Sequence, residues 1–156
     1  MQEQLDRLVR EAASLQNRFV LVAGEANGRL SALQKLASTH GCEILNLGLE
    51  FSRRLSSVPK RQRQLQAAGI LRDLGNEASG TLLIFDQVEV LFDRSLQLDP
   101  LDLLKRQSHA RTVVASWPGT HRDGRLIYAD TGHPEHQDYP VTGLVLFQII
   151  KQVHQA

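Results

Sequence analysis

Cysteine is nearly absent: Cys42 is the one thiol in 156 residues. No disulfide can form within the chain, so the frameworks that hold small secreted domains together are excluded. A reducing cytoplasm is the expected setting. Aromatic residues are also scarce, at 5%, with one Trp and two Tyr, which leaves few surfaces for stacking nucleic-acid bases. No apolar run approaches the length of a membrane span. Neither sign of charge dominates. With 18 basic and 17 acidic side chains the net charge is +1, and bulk charge favours no class of partner. There is no internal repeat and no low-complexity tract. The first stretch, MQEQLDRLVREAASLQ, is charged and helical in pattern, so a signal peptide is not expected.

What is present suits one ordinary globular domain spanning residues 1–156, with 42% apolar residues to build a core. Leu5, Leu8, Val9, Ala12 and Leu15 follow helical spacing and predict a helix over 2–16. Phe19 to Ala23 reads as a buried strand. Gly28 to Thr39 reads as a helix that Gly41 ends. A second strand is expected over 43–47, with Cys42 at its start as a small buried side chain. A third helical pattern over 64–74 turns Leu65, Ala68, Leu71 and Leu74 inward and stops at Gly75-Asn76. "TLLIF" (81–85) is a strand ending on Asp86. Asp99-Pro100 is a helix start, with a capping carboxylate before a proline at the first helical position. "TVVASW" and "RLIYA" are a fourth and a fifth strand, the latter after a turn at Asp123-Gly124. The apolar tail, 141–154, reads equally as strand or helix. Strands that alternate with helices predict a three-layer α/β sandwich on a mostly parallel sheet.

The stretch "RFVLVAGEANGRLSALQKLA" (18–37) runs strand, glycine turn, helix. That is the order of a phosphate-binding loop, G-x-x-x-x-G-K-[ST], whose backbone amides cradle phosphate. Aligned to it, Gly28 fits the second glycine. Ala23 replaces the first, Arg29 the lysine and Leu30 the magnesium-binding hydroxyl. Ser31 lies one residue further, about 100° round a helix. Glu25 sets a carboxylate in the turn, where it would repel phosphate. Candidate nucleotide-binding residues are therefore Gly24, Asn27, Gly28, Arg29, Leu30 and Ser31, and a strand–turn–helix without ligand explains the same residues equally well. Asp86, at the end of an apolar strand, is the candidate magnesium acid. Gln87 stands where many such ATPases have a water-activating glutamate, and glutamine orients water without acting as a base. Glu89 is the nearby alternative. Ser116 ends "TVVASW" where such proteins place a sensor of the γ-phosphate; a satisfied strand-end hydroxyl is the slightly preferred reading.

Other clusters are weaker. Arg53, Arg54, Lys60, Arg61 and Arg63 form a basic stretch that would grip nucleic-acid phosphates, although such runs are more often a solvated face. His133, Glu135, His136 and His121 are metal-ligand types, but Pro134 breaks any helical alignment. Arg106 and Arg111 flank a helix end from which related ATPases reach a neighbouring subunit's nucleotide; a cation-favouring helix C-terminus explains them more simply. Trp117-Pro118 suits a core or a partner surface.

Three segments share a more specific resemblance. "LLIFDQVEVLF", "LDPLDLLKRQSHARTVVASWPG" and "LIYADTGHPEHQDY" resemble the BrxF family, small P-loop proteins of bacteriophage exclusion (BREX) defence systems, particularly type 3. The resemblance covers roughly residues 15 to 140. It implies an AAA+-like core without a lid domain, working in the bacterial cytoplasm beside a large ATPase, a methyltransferase and other defence proteins. Gly28, Arg29 and Asp86 carry over as phosphate-loop and metal positions, with ATP and Mg²⁺ as the implied ligands. Ala23, Arg29, Leu30 and Gln87 depart from the pattern. A non-catalytic or weakly active ATPase-like subunit is the expected function, with no nucleotide or a structural one, and hydrolysis by the isolated chain is not expected. The alternatives are an ATPase completed by a partner and a DNA-binding adaptor using 53–63.

Overall fold

The structure is a computed structural model, and it describes residues 2–15, 17–129, 131–141 and 144–149. Its centre is a sheet of five strands: β1 (Phe19–Ala23), β2 (Ile44–Asn46), β3 (Leu82–Asp86), β4 (Thr112–Ser116) and β8 (Val145–Gln148), in the order β2-β3-β4-β1-β8. Every pairing in it is parallel. β1 and β4 are buried along their whole length, as expected for strands covered on both faces.

Alternation along these strands builds two separate cores. Val20, Val22, Ile84 and Val114 face one way, against Leu5 and Val9 of α1 (Gln2–Ala12) and Leu33 and Leu36 of α2 (Ala26–His40). Leu21, Phe85, Val113 and Ala115 face the other way. They meet Phe51 of α3 (Leu47–Leu55), Leu71 of α4 (Lys60–Glu77) and Leu104 of α5 (Pro100–Gln107). The result is the expected three-layer α/β sandwich on a parallel sheet. Because the strands are parallel, Gly24, Asp86, Ser116 and Ile149 all emerge at one end of the sheet, where ligand sites of open α/β sheets lie.

Several boundaries differ from the sequence reading. α1 stops at Ala12, and Leu15 is half exposed beyond it. α2 starts at Ala26, two residues early, and ends on Gly41 in the left-handed conformation (φ 64°) as expected. α3 is a helix where only a basic stretch was read. α4 starts at Lys60 and runs through Gly75-Asn76 to Glu77. Gly75 does not stop it because it is a packing position: a Cβ there would collide with the Gln107 side chain. Ala67, Leu71 and Leu74 set the buried phase of α4, so Leu65, at 84% exposure, and Ala68 point outward. β2 has three residues rather than five, and Cys42 precedes it, partly buried.

"RLIYA" is not a strand of the parallel sheet. It forms β6 (Arg125–Tyr128) of a small antiparallel sheet with β5 (Thr120–Arg122) and β7 (Gln137–Pro140). Asp123 (φ 53°) and Gly124 (φ 72°) form the two-residue turn between β5 and β6, and two positive φ values are what a right-twisted hairpin requires. The fifth parallel strand comes from the tail instead, as β8. Residues 142, 143 and 150–154 of that predicted segment lie outside the described residues.

Candidate functional site

Two residues, Gly24 and Glu25, join β1 to α2. Gly24 has φ 126°, open to glycine and costly for other residues. Glu25 is the N-cap: its Oε1 accepts a hydrogen bond from the Asn27 amide at 3.3 Å. Asn27, Gly28, Arg29 and Leu30 therefore lie inside the first turns of a helix. In the phosphate-loop pattern four residues separate the glycines and arch over the anion; here the helix has already begun. The carboxylate of Glu25 sits where a helix N-terminus favours negative charge, so the chain supplies its own anion.

Arg29, at the lysine position, is turned back onto the strand ends. Its Nε donates to the Gly24 carbonyl at 2.9 Å, and one terminal nitrogen donates to Ser116 Oγ at 2.6 Å. Ser116 is 1% exposed and pairs in register with Val22 of β1. The γ-phosphate sensor position and the phosphate-lysine position thus meet each other directly. The forked guanidinium permits this, since lysine could not make both bonds in the same geometry.

The residue that sequence reasoning missed is Ile149. Its amide donates to the Ala23 carbonyl at 2.8 Å, continuing β8 along β1. A Cβ built on Gly24 would come within 2.7 Å of Ile149 Cβ, and one on Gly28 within 2.8 Å of Ile149 Cγ2. Both glycines are thus explained without phosphate: they make room for Ile149. The apolar run "VLFQII" hinted at a strand, but no local pattern fixes which strand it joins or where it stops.

The remaining ATPase positions lie at the end of β3 and in the segment that follows it, and on α2. Asp86 ends β3 partly exposed, in register with Asn46, whose side chain caps α3 by accepting from the Leu49 amide at 3.0 Å. β4 lies between β3 and β1, so Asp86 is two strands from Gly24. Gln87 is exposed with φ 58°, and a Cβ on Gly48 of α3 would be 3.3 Å from Gln87 Cβ. Glu89 is exposed in the 3-10 turn Val88–Phe92. Leu30 and Ser31 are both exposed on α2, and Leu30 offers no metal ligand. These residues do not fit a magnesium nucleotide. The turn is too short, a carboxylate caps the helix, Ile149 packs on both glycines, and Arg29 already has its acceptors.

The basic stretch is divided between two helices. Arg53 pairs with Glu50, Arg54 pairs with Glu77 across α3 and α4, and Arg63 donates to the Val58 carbonyl at 3.0 Å. Lys60 and Arg61 stand exposed in the first turn of α4. Arg106 pairs with Asp102 one turn back on α5, and Arg111 donates to the Ala78 carbonyl at 2.7 Å. Arg111 precedes β4, at the opposite end of the sheet from Ser116. His133 Nδ1 accepts from the Glu135 amide, and His136 lies against the Ala129 carbonyl. His121 meets Gln148 instead, and no three His, Cys, Asp or Glu side chains converge among the described residues. Trp117 is core: it is 1% exposed, donates to the Thr120 carbonyl, and contacts Phe92 and Tyr139 edge to face.

No family model matches the sequence, and no curated protein matches it. Among solved structures the chain is similar to AMPPCP-bound DnaA from Aquifex aeolicus, at 14% identity and a TM-score of 0.47. The match covers 95% of this chain and 44% of that one, so this chain spans less than half of DnaA's length. The fold is defined by the parallel sheet and its two cores. The described helices include none long and apolar enough to cross a membrane.

Proposed function

We propose that this chain is a non-catalytic, ATPase-like subunit of a bacteriophage-defence assembly, working through partner proteins. One observation carries the reading: the place where a P-loop would hold phosphate is filled by the chain's own Ile149, Glu25 and Arg29. A frame whose helix N-terminus is already capped by Glu25, and whose Arg29 donors already have acceptors, offers few free donors to a phosphate. The defence context is supported by the resemblance of the "LLIFDQVEVLF", "WPG" and "LIYADTGHPEHQDY" segments to the BrxF family. On this reading its neighbours are a large ATPase and a methyltransferase.

The test is steady-state ATP turnover by the purified chain, alone and mixed with the products of its neighbouring defence genes. Turnover by the chain itself is expected to be absent, and any activity of the mixture is expected to survive Asp86→Ala. Turnover abolished by Asp86→Ala would sink the proposal. Activity that appears only in the mixture and disappears with Arg29→Ala would support an ATPase completed by a partner. Phage plating with the gene deleted, and with Asp86→Ala restored in its place, tests the defence role separately from the chemistry.

A further inference from the structure

The first two turns of α4 stand clear of the core. Its first buried residue is Ala67; before that, from Lys60 to Gln66, only Arg63 is even partly buried. Seven residues of helix extend about 10 Å. A helical segment that buries no face gains nothing from packing and depends on local terms. Those terms are poor here. Pro59 gives no side-chain cap, the first turn holds no acid, and Lys60 and Arg61 set positive charge against the positive end of the helix dipole. Places where a fold breaks its local rules are characteristically functional.

The charge of this segment has one sign. KRQRQLQ (60–66) carries three cations, three glutamines and no acid, while the whole chain nets +1, so the rest of it is net acidic. The fold adds a fourth cation from elsewhere. The 3-10 turn Arg94–Leu96 packs against α4, and Gln97 just beyond it accepts from Gln64 Nε2 at 2.8 Å. Gln64 shares a helix face with Lys60 and Arg61, so exposed Arg94 is brought to the same side. Lys60, Arg61 and Arg94 pair with no carboxylate among the described residues. The acids flanking this turn serve their own backbone: Asp93 accepts from the Ser95 amide at 2.9 Å and Asp99 from the Asp102 amide at 3.2 Å. Arg53 and Arg54 leave the group, since Glu50 and Glu77 hold them.

A projecting basic helix end fits an anionic surface with a slot that admits a helix. The major groove of B-DNA is about 12 Å wide, takes one α-helix and has phosphates along both sides. The major groove of A-form RNA is too narrow. Single strands are held by stacking on aromatic side chains, and 60–66 has none, with Phe51 before it buried. A membrane surface calls for an apolar helix face, and Leu65 is alone among polar neighbours. We propose that the first two turns of α4 contact duplex DNA, the helix end entering the major groove with Lys60, Arg61 and Arg94 set against phosphates. None of these residues belongs to the Gly24 turn, so the contact stands or falls independently of whether nucleotide binds there.

The experiment follows the anisotropy of a fluorescein-labelled, random-sequence DNA duplex titrated with the full chain at two salt concentrations. Three phosphate contacts predict an affinity that falls about fortyfold between about 50 and 200 mM salt. Replacing Lys60 and Arg61 together by Gln is expected to weaken binding about tenfold or more at the lower salt and to reduce the salt effect to about fourfold. Both side chains are exposed, so the melting temperature should not fall. Arg94→Gln should weaken binding in the same direction by less. Arg7→Gln with Lys35→Gln removes the same charge from exposed positions of α1 and α2, across the sheet from α4, and should leave binding unchanged. A single strand of the same sequence should bind more weakly than the duplex. No binding at the lower salt, binding that the α4 variant leaves intact, an equal loss in the charge-matched control, or tighter binding of the single strand would each overturn the proposal. So would a Glu-rich peptide that binds more tightly than the duplex and depends on Lys60 and Arg61, which would assign the surface to an acidic protein.

Discussion

At the scale of single residues, the contact between Gly28 and Ile149 is the most informative, because it predicts a change of sign. Alanine is normally favoured over glycine inside a helix by about 1 kcal/mol. At position 28 its methyl would meet Ile149 Cγ2 at 2.8 Å, and overpacking of that kind costs about 1–3 kcal/mol. Gly28→Ala is therefore expected to destabilise the native chain in urea unfolding, yet to stabilise an Ile149→Ala background. The same sign in both backgrounds would show that Ile149 does not cover the helix start. Arg29→Ala should also destabilise, by about 1–3 kcal/mol, since it removes the donor to a buried hydroxyl. Arg29→Lys should recover only part of the loss, because one ammonium cannot reach both Gly24 and Ser116 as the guanidinium does. Lysine recovering all of it would mean that charge alone matters at this position.

At the scale of elements, α4 carries a built-in electrostatic penalty. Lys60 and Arg61 occupy its first turn with no acid there, and Pro59 gives no side-chain cap. Cations at a helix N-terminus oppose its dipole, so Arg61→Glu is expected to raise stability by about 0.3–1 kcal/mol, less at high salt. An unchanged urea midpoint at low salt would count against α4 starting at Lys60. The small antiparallel sheet makes a second prediction, through its attachment to the core. Tyr139 of β7 packs edge to face on Trp117. Burial, and then the nearby Asp99 carboxylate, push its phenol up to about 12. The folded state thus holds this proton more tightly than the unfolded chain does. The associated stability is complete below the ordinary tyrosine value of about 10 and is lost as pH rises from there through about 12. Tyr139→Phe should flatten that alkaline decline in unfolding midpoints. Tyr128, stacked on Phe92 and also raised, first by burial and then by Glu135 and Glu89, would leave a smaller residue of it.

At the scale of the whole molecule, the end of the parallel sheet that the sequence suggested for a ligand is occupied by the chain's own contacts. The end carrying Gly24, Ser116 and Asp86 is closed by internal contacts, whereas the opposite end holds an open cleft. A ligand that binds only the folded state raises the melting temperature by an amount that grows with the logarithm of its concentration above Kd. Millimolar ATP with Mg²⁺ is therefore expected to leave the melting curve unmoved, and a concentration-dependent rise would show that the Gly24 turn opens to admit phosphate. Ile149→Ala should not create such a rise by itself, because Glu25 and the short turn remain.

The layers and most of the elements follow from local sequence alone. Continuous apolar runs such as "FVLVA" and "TLLIF" can be satisfied only by burial on both faces, and the Asp99-Pro100 cap and the Gly41 stop are local chemistry that needs no neighbours. The helical phase of α4 was misread because Leu65 and Ala68 fit an apolar period as well as Ala67 does, and only the packing against α3 and α5 selects one. The glycine turn was legible as a turn but not as a closed one. Whether Gly24 and Gly28 face a phosphate or a side chain depends on Ile149, more than 120 residues away, which β8 delivers by pairing beside β1. Pairing at that separation is set by the energy of the completed sheet and core rather than by any local preference. The cleft at the other end was hidden for the same reason: its walls, residues 40–45 and 78–83, become neighbours only once β2 and β3 pair.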